Sequence, residues 1–576
     1  MVGLCALWCL SPELLSLGRG AAGPGSSGLA WGAAGLALAL CLPVRPWQGV
    51  LVLLPVALLA PWEAWYILQY GRSSDAHVLG ILSETDWSEA SAFAAGWVGS
   101  VVALSLLGAS LCLGTAWLAR ASQLAWRPAR LRWWLVTGAA AAFVPALLAA
   151  WTEASQAADL APWAPPEDLA LARTPDPLLA DLAHSFPSGV PLRIAHYLDH
   201  VAALRDTAAR LSHFRFGTRP LTDGPTPTRQ LHVVVIGETG RPDRWQLNGY
   251  ARPTTPRLVA REDVISFRNM VSPWAWTRMS VPVILSRKPG TDRNPYFGER
   301  SLVSAFREAG YRTYWYSTQS PLGGHDSSIA LMAREAHESR FVNAADYKAA
   351  GVHDDALLPW LDAVIARDEP KQLVVLHTLG SHYNYSHRYP PRFERFTPSL
   401  SGRTDAQLHD PSQASEMGNA YDNSVLFTDH VLAEAIERLE RSGVAATLFY
   451  VADHGENLFD DGCPMAGHGR HTERDFRVAS LLWLSERFRA QAPAAAEAAR
   501  RQVDAPLSTS QVFPTLLHLA GLTVDRPDPR GAGAPGDLLH HAMPPGSRRV
   551  QNGLDFDSST KEGACRMLRA TAASRR

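Results

Sequence analysis

The 576-residue chain is poor in several things at once. Its formal net charge is −1, so no excess of positive charge drives binding to nucleic acid. Only six cysteines are present. Four of them (Cys5, Cys9, Cys41 and Cys112) lie in the apolar first quarter, leaving Cys463 and Cys565 and excluding a disulfide-framework fold. One Cys463–Cys565 bridge is compatible with an oxidising compartment, but the sequence alone does not establish it. The start has no basic n-region, which argues against a cleaved signal peptide. There are no internal repeats, and the length exceeds that of one ordinary core, so two or more domains are expected.

What the chain does have is apolar length at one end. Runs at 28–44, 49–70, 95–119 and 133–152 approach the ~20 residues needed to cross a bilayer core. Residues 1–18, interrupted by Pro12 and Glu13, are a weaker fifth candidate. Arg120, Arg127, Arg130 and Arg132 mark the loop at 120–132 as cytoplasmic. The 71–94 loop and everything past about residue 153 then fall on the far side, which in a bacterium is the periplasm. The resulting division is a transmembrane domain at 1–155, a linker with an amphipathic helix at 156–228, a soluble domain at 229–545 and a loosely ordered tail at 546–576. The helical period at 189–213 fits packing on the soluble domain or lying in the bilayer interface.

In the soluble part, strand-like and helical patterns alternate. Leu231–Ile236, Tyr311–Ser317, Gln372–His377, Thr447–Ala452 and Val478–Leu484 read as strands. Ser301–Ala309, Val425–Arg441 and 511–520 read as helices. The pattern predicts an α/β fold with a mostly parallel sheet flanked by helices. Two short polar motifs end strands, where open parallel sheets place their sites: Gly237-Glu238-Thr239 and Asp453-His454-Gly455. Alone, the first fits a turn whose threonine caps a helix, and the second fits a polar turn with a satisfied histidine. Together they supply two carboxylates, an imidazole and a hydroxyl, a donor set suited to zinc. The threonine would become a nucleophile once its proton is removed.

A third strand leads into Leu379-Gly380-Ser381-His382. His382 is a candidate for the second sphere, for proton donation or for a second metal, as are His468 and His471. Thr277, Arg278, Gln319 and His325 are weaker candidates for binding phosphate or a head group. In the 71–94 loop, Thr85 and Glu89 share one face if helical, and a carboxylate there suits an ammonium. Glu63, beside Trp62 and Trp65, is costly in lipid and therefore a candidate by default, with snorkelling as its plainer explanation.

The segment 233–258, VVVIGETGRPDRWQLNGYARPTTPRL, resembles the nucleophile segment of bacterial phosphoethanolamine transferases. These are inner-membrane enzymes with an alkaline phosphatase/sulfatase-type domain, and they include those that modify lipid A and confer polymyxin resistance. Further matching segments are Leu376–His382, Tyr389–Phe393, Tyr421–Ser424, Asp453–Glu456 and Leu481–Leu484, and the Thr85–Ala90 loop fits as well. The resemblance implies Thr239 as the nucleophile carrying a phosphoethanolamine intermediate. It implies Glu238, Thr239, Asp453 and His454 as ligands of one tight Zn2+ site, with a second metal left open. His382 and His468 match secondary histidines, and Glu89 an acidic residue that handles the lipid. The implied donor is phosphatidylethanolamine in the bilayer, and the implied location is the bacterial inner membrane, multi-pass, with a periplasmic catalytic domain. No nucleic-acid partner is implied.

The chain also departs from the lipid A type, which usually has five spans, several periplasmic disulfides and a cysteine-bearing stretch where this sequence has Gly323–Ala330. That stretch resembles more the branch acting on lipopolysaccharide core sugars or periplasmic glucans, and the expected acceptor is lipopolysaccharide, at lipid A or core, or a periplasmic glycan. Two rivals remain: a glycerol-phosphate transferase of the lipoteichoic acid synthase type, and a catalytically silent membrane scaffold of the same fold. The Cys/Ser-x-Pro-x-Arg segment of an arylsulfatase is missing.

Overall fold

The computed structural model describes residues 1–18, 28–70, 73–74, 97–126, 129–160, 177–195, 197–198, 211–221, 229–293, 297–319, 328–342, 352–403, 406–551 and 553–569. The chain divides into two compact units, 1–85 with 94–203 and 86–93 with 204–576.

The first unit is helical: α1 (Val2–Gly18), α2 (Gly28–Cys41), α3 (Pro46–Val52), α4 (Leu54–Tyr70), α5 (Val98–Ala121) and α6 (Ala129–Leu160). Residues 1–18 thus form a helix despite Pro12. Its Cys5 and Cys9 pack with Leu36, Val50, Leu53, Ala57, Cys112 and Ala116. Among the described residues, two stretches are long and apolar enough to cross a membrane, Pro46–Leu68 and Val98–Ala121. The run expected at 28–44 yields a helix of 14 residues, shorter than the ~20 a bilayer core demands. α5 buries its small residues Ser105, Gly108 and Thr115 and turns Leu106, Leu107 and Trp117 outward. That is the reverse of a soluble amphipathic helix. Glu63 of α4 neither snorkels nor stands alone: Arg193 Nη1 lies 3.0 Å from its Oε1, and Ser74 donates to both of its oxygens. Pairing is what makes a buried carboxylate tolerable there. Arg193 belongs to the described start of the helix expected at 189–213; residues 199–210 lie outside the described residues.

The second unit is built on a seven-stranded sheet. Its strands are β1 (Gln230–Gly237), β2 (Val264–Ser266), β3 (Arg312–Ser317), β4 (Glu338–Phe341), β5 (Lys371–His377), β6 (Ala445–Ala452) and β7 (Ser480–Leu484), in spatial order β2-β7-β6-β1-β5-β3-β4. All are parallel except β7, which runs antiparallel to β2 and β6. β1 is buried along its whole length, as its continuous apolar run requires of a strand covered on both faces. The register sets Gly237 opposite Ala452 and Ile236 opposite His377. The residues that follow three adjacent strands therefore emerge at one sheet edge. Two helices matter to the site: α7 (Thr277–Leu285) and α8 (Ala414–Arg441).

The C-terminal residues expected to be loosely ordered are instead packed through Arg569. Val550, Phe556 and Leu568 join a core with Val271, Ala275 and Phe476, Thr560–Glu562 pairs with Met567–Arg569, and a Cys463–Cys565 disulfide ties the segment down.

Candidate metal centre

Glu238, Asp453 and His454 emerge from β1 and β6, all fully buried, with one ligand atom from each lying within 4.8 Å of the others. His454 Nε2 is 3.3 Å from Glu238 Oε1 and 3.4 Å from Asp453 Oδ2. Thr239 donates its hydroxyl hydrogen bond to Glu238 Oε1 at 2.7 Å, so it does not cap a helix. Its backbone N–H donates to Asp453 Oδ1, as does that of His454. Thr239 has φ +57, a left-handed conformation costly for a β-branched residue and held only by its surroundings. The Tyr421 hydroxyl, from α8, donates to the Thr239 carbonyl at 2.6 Å and accepts from Arg241 N–H at 2.9 Å. On the other side, Gly380 at φ +48 passes so close to Glu238 that a Cβ would sit 2.6 Å from its carbonyl oxygen.

The electrostatics are those of a cation site. Burial would raise the Glu238 pKa, but the His454 imidazole holds it well below the usual carboxylate range. Burial and the Glu238 charge push Asp453 up to about 7. His454, which burial alone would lower, is raised to about 10 by the two carboxylates. Among the described residues Asp453 Oδ2 has no hydrogen-bond donor, and the His454 Nδ1 lies 2.9 Å from the Gly455 carbonyl, leaving Nε2 to face the carboxylates. A buried carboxylate oxygen without a donor, an oriented imidazole and a second carboxylate fit a divalent cation of the zinc type.

The other candidates fall into place unevenly. Thr277 Oγ1 and Gln319 Nε2 each lie 3.1 Å from Glu238 Oε2, so both orient that carboxylate. Thr277 also reaches His454 Nε2 at 3.3 Å. The His468 ring lies 4.1 Å from that of His454 and its Nδ1 is 3.3 Å from Glu456 Oε2. His382 is half-buried, with Nδ1 2.6 Å from the Tyr383 carbonyl. The His471 carbonyl accepts from Leu568 N–H, and its ring lies edge-on to Phe476 at 6.4 Å. Thr85, Glu89 and His325 lie outside the described residues. Sequence reasoning gave no role to Tyr421, Glu456 or Asp354. Glu456 is fully buried and raised to about 7 by burial. Asp354 accepts the N–H groups of Leu379 and Gly380 at 2.8 and 2.9 Å, fixing the loop that carries His382.

A family model described as Sulfatase matches residues 230–522. Phosphoethanolamine transferase EptC of Escherichia coli K12 is 30% identical over 311 residues, which are 52% of this chain and 52% of that protein. The chain thus spans about half the length of the curated relatives it matches. The zinc-complexed C-terminal periplasmic domain of EptC from Escherichia coli superposes with a TM-score of 0.52 at 26% identity, covering 59% of this chain and 95% of that one. The integral membrane lipooligosaccharide phosphoethanolamine transferase A of Neisseria meningitidis superposes with a TM-score of 0.61 at 20% identity, covering 91% and 95%. That last likeness is one of fold.

Proposed function

The chain belongs to the sulfatase family, and from that premise we propose that it is a zinc-dependent transferase moving phosphoethanolamine from phosphatidylethanolamine to a lipopolysaccharide or periplasmic glycan acceptor. The observation that carries the reading is the convergence of Glu238, Asp453 and His454, with Thr239 hydrogen-bonded to Glu238, beside an Asp453 oxygen that has no hydrogen-bond donor among the described residues. The names of the relatives, and the zinc bound by one of them, support the group transferred and the metal. The apolar helices of the first unit support residence in the inner membrane, with the unit that holds the site in the periplasm. There, confinement raises the effective concentration of a lipid donor.

Glu238, Asp453, His454 and the Thr239 oxygen would hold the zinc. When bound, zinc supplies positive charge that lowers the pKa of a hydroxyl and offsets charge developing on phosphoryl oxygens. The chain's own residues do the rest. The Thr239 hydroxyl, oriented by its hydrogen bond to Glu238, gives its proton to water, and Oγ1 forms a bond to the donor phosphorus. The bond from phosphorus to the diacylglycerol oxygen breaks, and His382 or His468 supplies a proton to that oxygen. In the second half-reaction the same histidine takes the proton of an acceptor hydroxyl as its oxygen bonds to phosphorus, and the bond from phosphorus to Thr239 Oγ1 breaks, Oγ1 recovering a proton from water.

The test is the full-length chain in phosphatidylethanolamine vesicles. Thr239→Ala should abolish diacylglycerol release and covalent labelling, and robust turnover by that variant would overturn the assignment. Phosphatidylglycerol serving as the better donor would turn the reading to glycerol-phosphate transfer. A lipopolysaccharide or glycan mass shift of one phosphoethanolamine would identify the acceptor.

A further inference from the structure

A second group of metal-ligating side chains is built from different elements. Helix Val512–Leu519 ends with His518 in its last turn, and the turn at 537–541 presents Asp537, His540 and His541 beside it. His540 Nδ1 lies 2.8 Å from Asp537 Oδ1, while His518 Nδ1 and His541 Nδ1 lie 3.7 and 3.6 Å from Asp537 Oδ2. One ligand atom from each of His518, Asp537 and His540 falls within 4.8 Å of the other two. Donors bound to one zinc at ~2.0–2.2 Å stand roughly 3.3 Å apart, so small side-chain rotations bring these atoms to bonding geometry.

The frame beneath them is fixed. Leu538 and Leu539 are buried under the turn. Leu538 N–H donates to Thr515 Oγ1 at 2.9 Å, and Gln511 Nε2 donates to the His541 carbonyl at 2.6 Å. Both partners sit on or beside the helix that carries His518. Asp537 Oδ1 accepts from the N–H groups of Leu539 and His540, which orients the carboxylate and leaves Oδ2 toward the two remaining imidazoles. A plain turn-capping aspartate would need only Oδ1. The histidines are half-exposed, so a hydrated ion can reach them.

We propose that His518, Asp537 and His540 form a peripheral site for a borderline transition-metal cation, zinc or copper, with His541 or water completing the coordination. Imidazoles with a single carboxylate favour these ions over magnesium or calcium, which require mostly oxygen donors. The bound ion joins the end of the 512–519 helix to the 537–541 turn. The site is independent of the transfer chemistry, because none of its residues belongs to the Glu238–His454 group.

The experiment uses the full-length chain, stripped of metal, equilibrated with micromolar Zn2+ and desalted before metal analysis. His518→Ala/His540→Ala should bind one zinc equivalent fewer than the unmodified chain while donor turnover stays unchanged. With Cu2+ as the probe, nitrogen coupling in the electron paramagnetic resonance spectrum should weaken in the same variant. Equal stoichiometry in the two proteins, or retention only at millimolar zinc, would overturn the site. Equal folding of the variant is checked by circular dichroism, and His540→Gln, which keeps size and polarity, should give the same loss.

Discussion

Removing one oxygen atom from Tyr421 tests whether α8 braces the nucleophile turn. The hydroxyl is fully buried and serves two backbone groups at once, the Thr239 carbonyl at 2.6 Å and the Arg241 N–H at 2.9 Å. Tyr421→Phe keeps the ring packed against Tyr385, whose centroid is 5.3 Å away, so no cavity of consequence opens. What changes is that two buried backbone groups lose their partner. At ~1–3 kcal/mol for each orphaned group, the substitution should cost about 2–6 kcal/mol. Tyr383→Phe is the internal control, because its hydroxyl serves one backbone group, the Ala406 carbonyl at 3.0 Å, and should cost about half as much. The assay is thermal unfolding of the purified full-length chain together with amide hydrogen exchange over residues 237–241. Turnover should fall through kcat with KM little changed, since the brace shapes Thr239 rather than a binding surface. A Tyr421→Phe protein no less stable than Tyr383→Phe, with normal exchange protection at 237–241, would refute the bracing argument.

Three further outcomes follow from the same geometry. Thr239→Gly should be more stable than Thr239→Ala by about 1 kcal/mol in the metal-free protein, because both lose the hydroxyl bond to Glu238 and only glycine relieves the strain of φ +57; thermal unfolding reads it, and a glycine variant no more stable than the alanine one would deny the strain. Cys463→Ser should cost up to ~4.7 kcal/mol, the chain-entropy value for a loop near 100 residues, since the bridge spans 102 positions; unfolding with and without reductant checks it, and the variant should no longer respond to reductant. Asp429 is buried, which pushes its pKa up to about 6 even though the N–H groups of Leu258 and Arg257 donate to it. A raised folded-state pKa means its contribution is full below the unfolded value and is lost as pH rises through about 6. Asp429→Asn should therefore gain about 2 kcal/mol relative to the unmodified chain between about pH 4 and pH 7, and a pH-independent difference would sink that account.

The parts of the fold that were legible in the sequence share one cause. β1, β5 and β6 are continuous apolar runs because both faces of a central parallel strand are covered, and such runs announce themselves. β4, with Glu338 and Arg340 among its four residues, and the three-residue β2 carry no such signal. α8 shows the boundary most clearly. Its second half follows an apolar period and was expected from Val425, but the helix starts at Ala414. Over the missing turns Met417 and Ala420 are buried together with Asn419, Tyr421, Asp422, Asn423 and Ser424, a mostly polar face that hydrophobic periodicity reads as loop. Those polar groups are buried because distant parts of the chain satisfy them: Arg244, Tyr250 and Arg252 converge on Asp422, and the Thr239 turn takes the Tyr421 hydroxyl. The same limit applies at the site. Glu238, Thr239, Asp453 and His454 stood out because each pair ends a recognisable strand. Thr277 and Gln319 stood out as polar, but nothing in their neighbourhood revealed that both would meet one oxygen of Glu238. Residue type records that a donor exists; only the fold decides its acceptor. Two donors on a single carboxylate oxygen fix the orientation of Glu238 before any cation arrives, and the opposite oxygen is thereby left for Thr239 and His454.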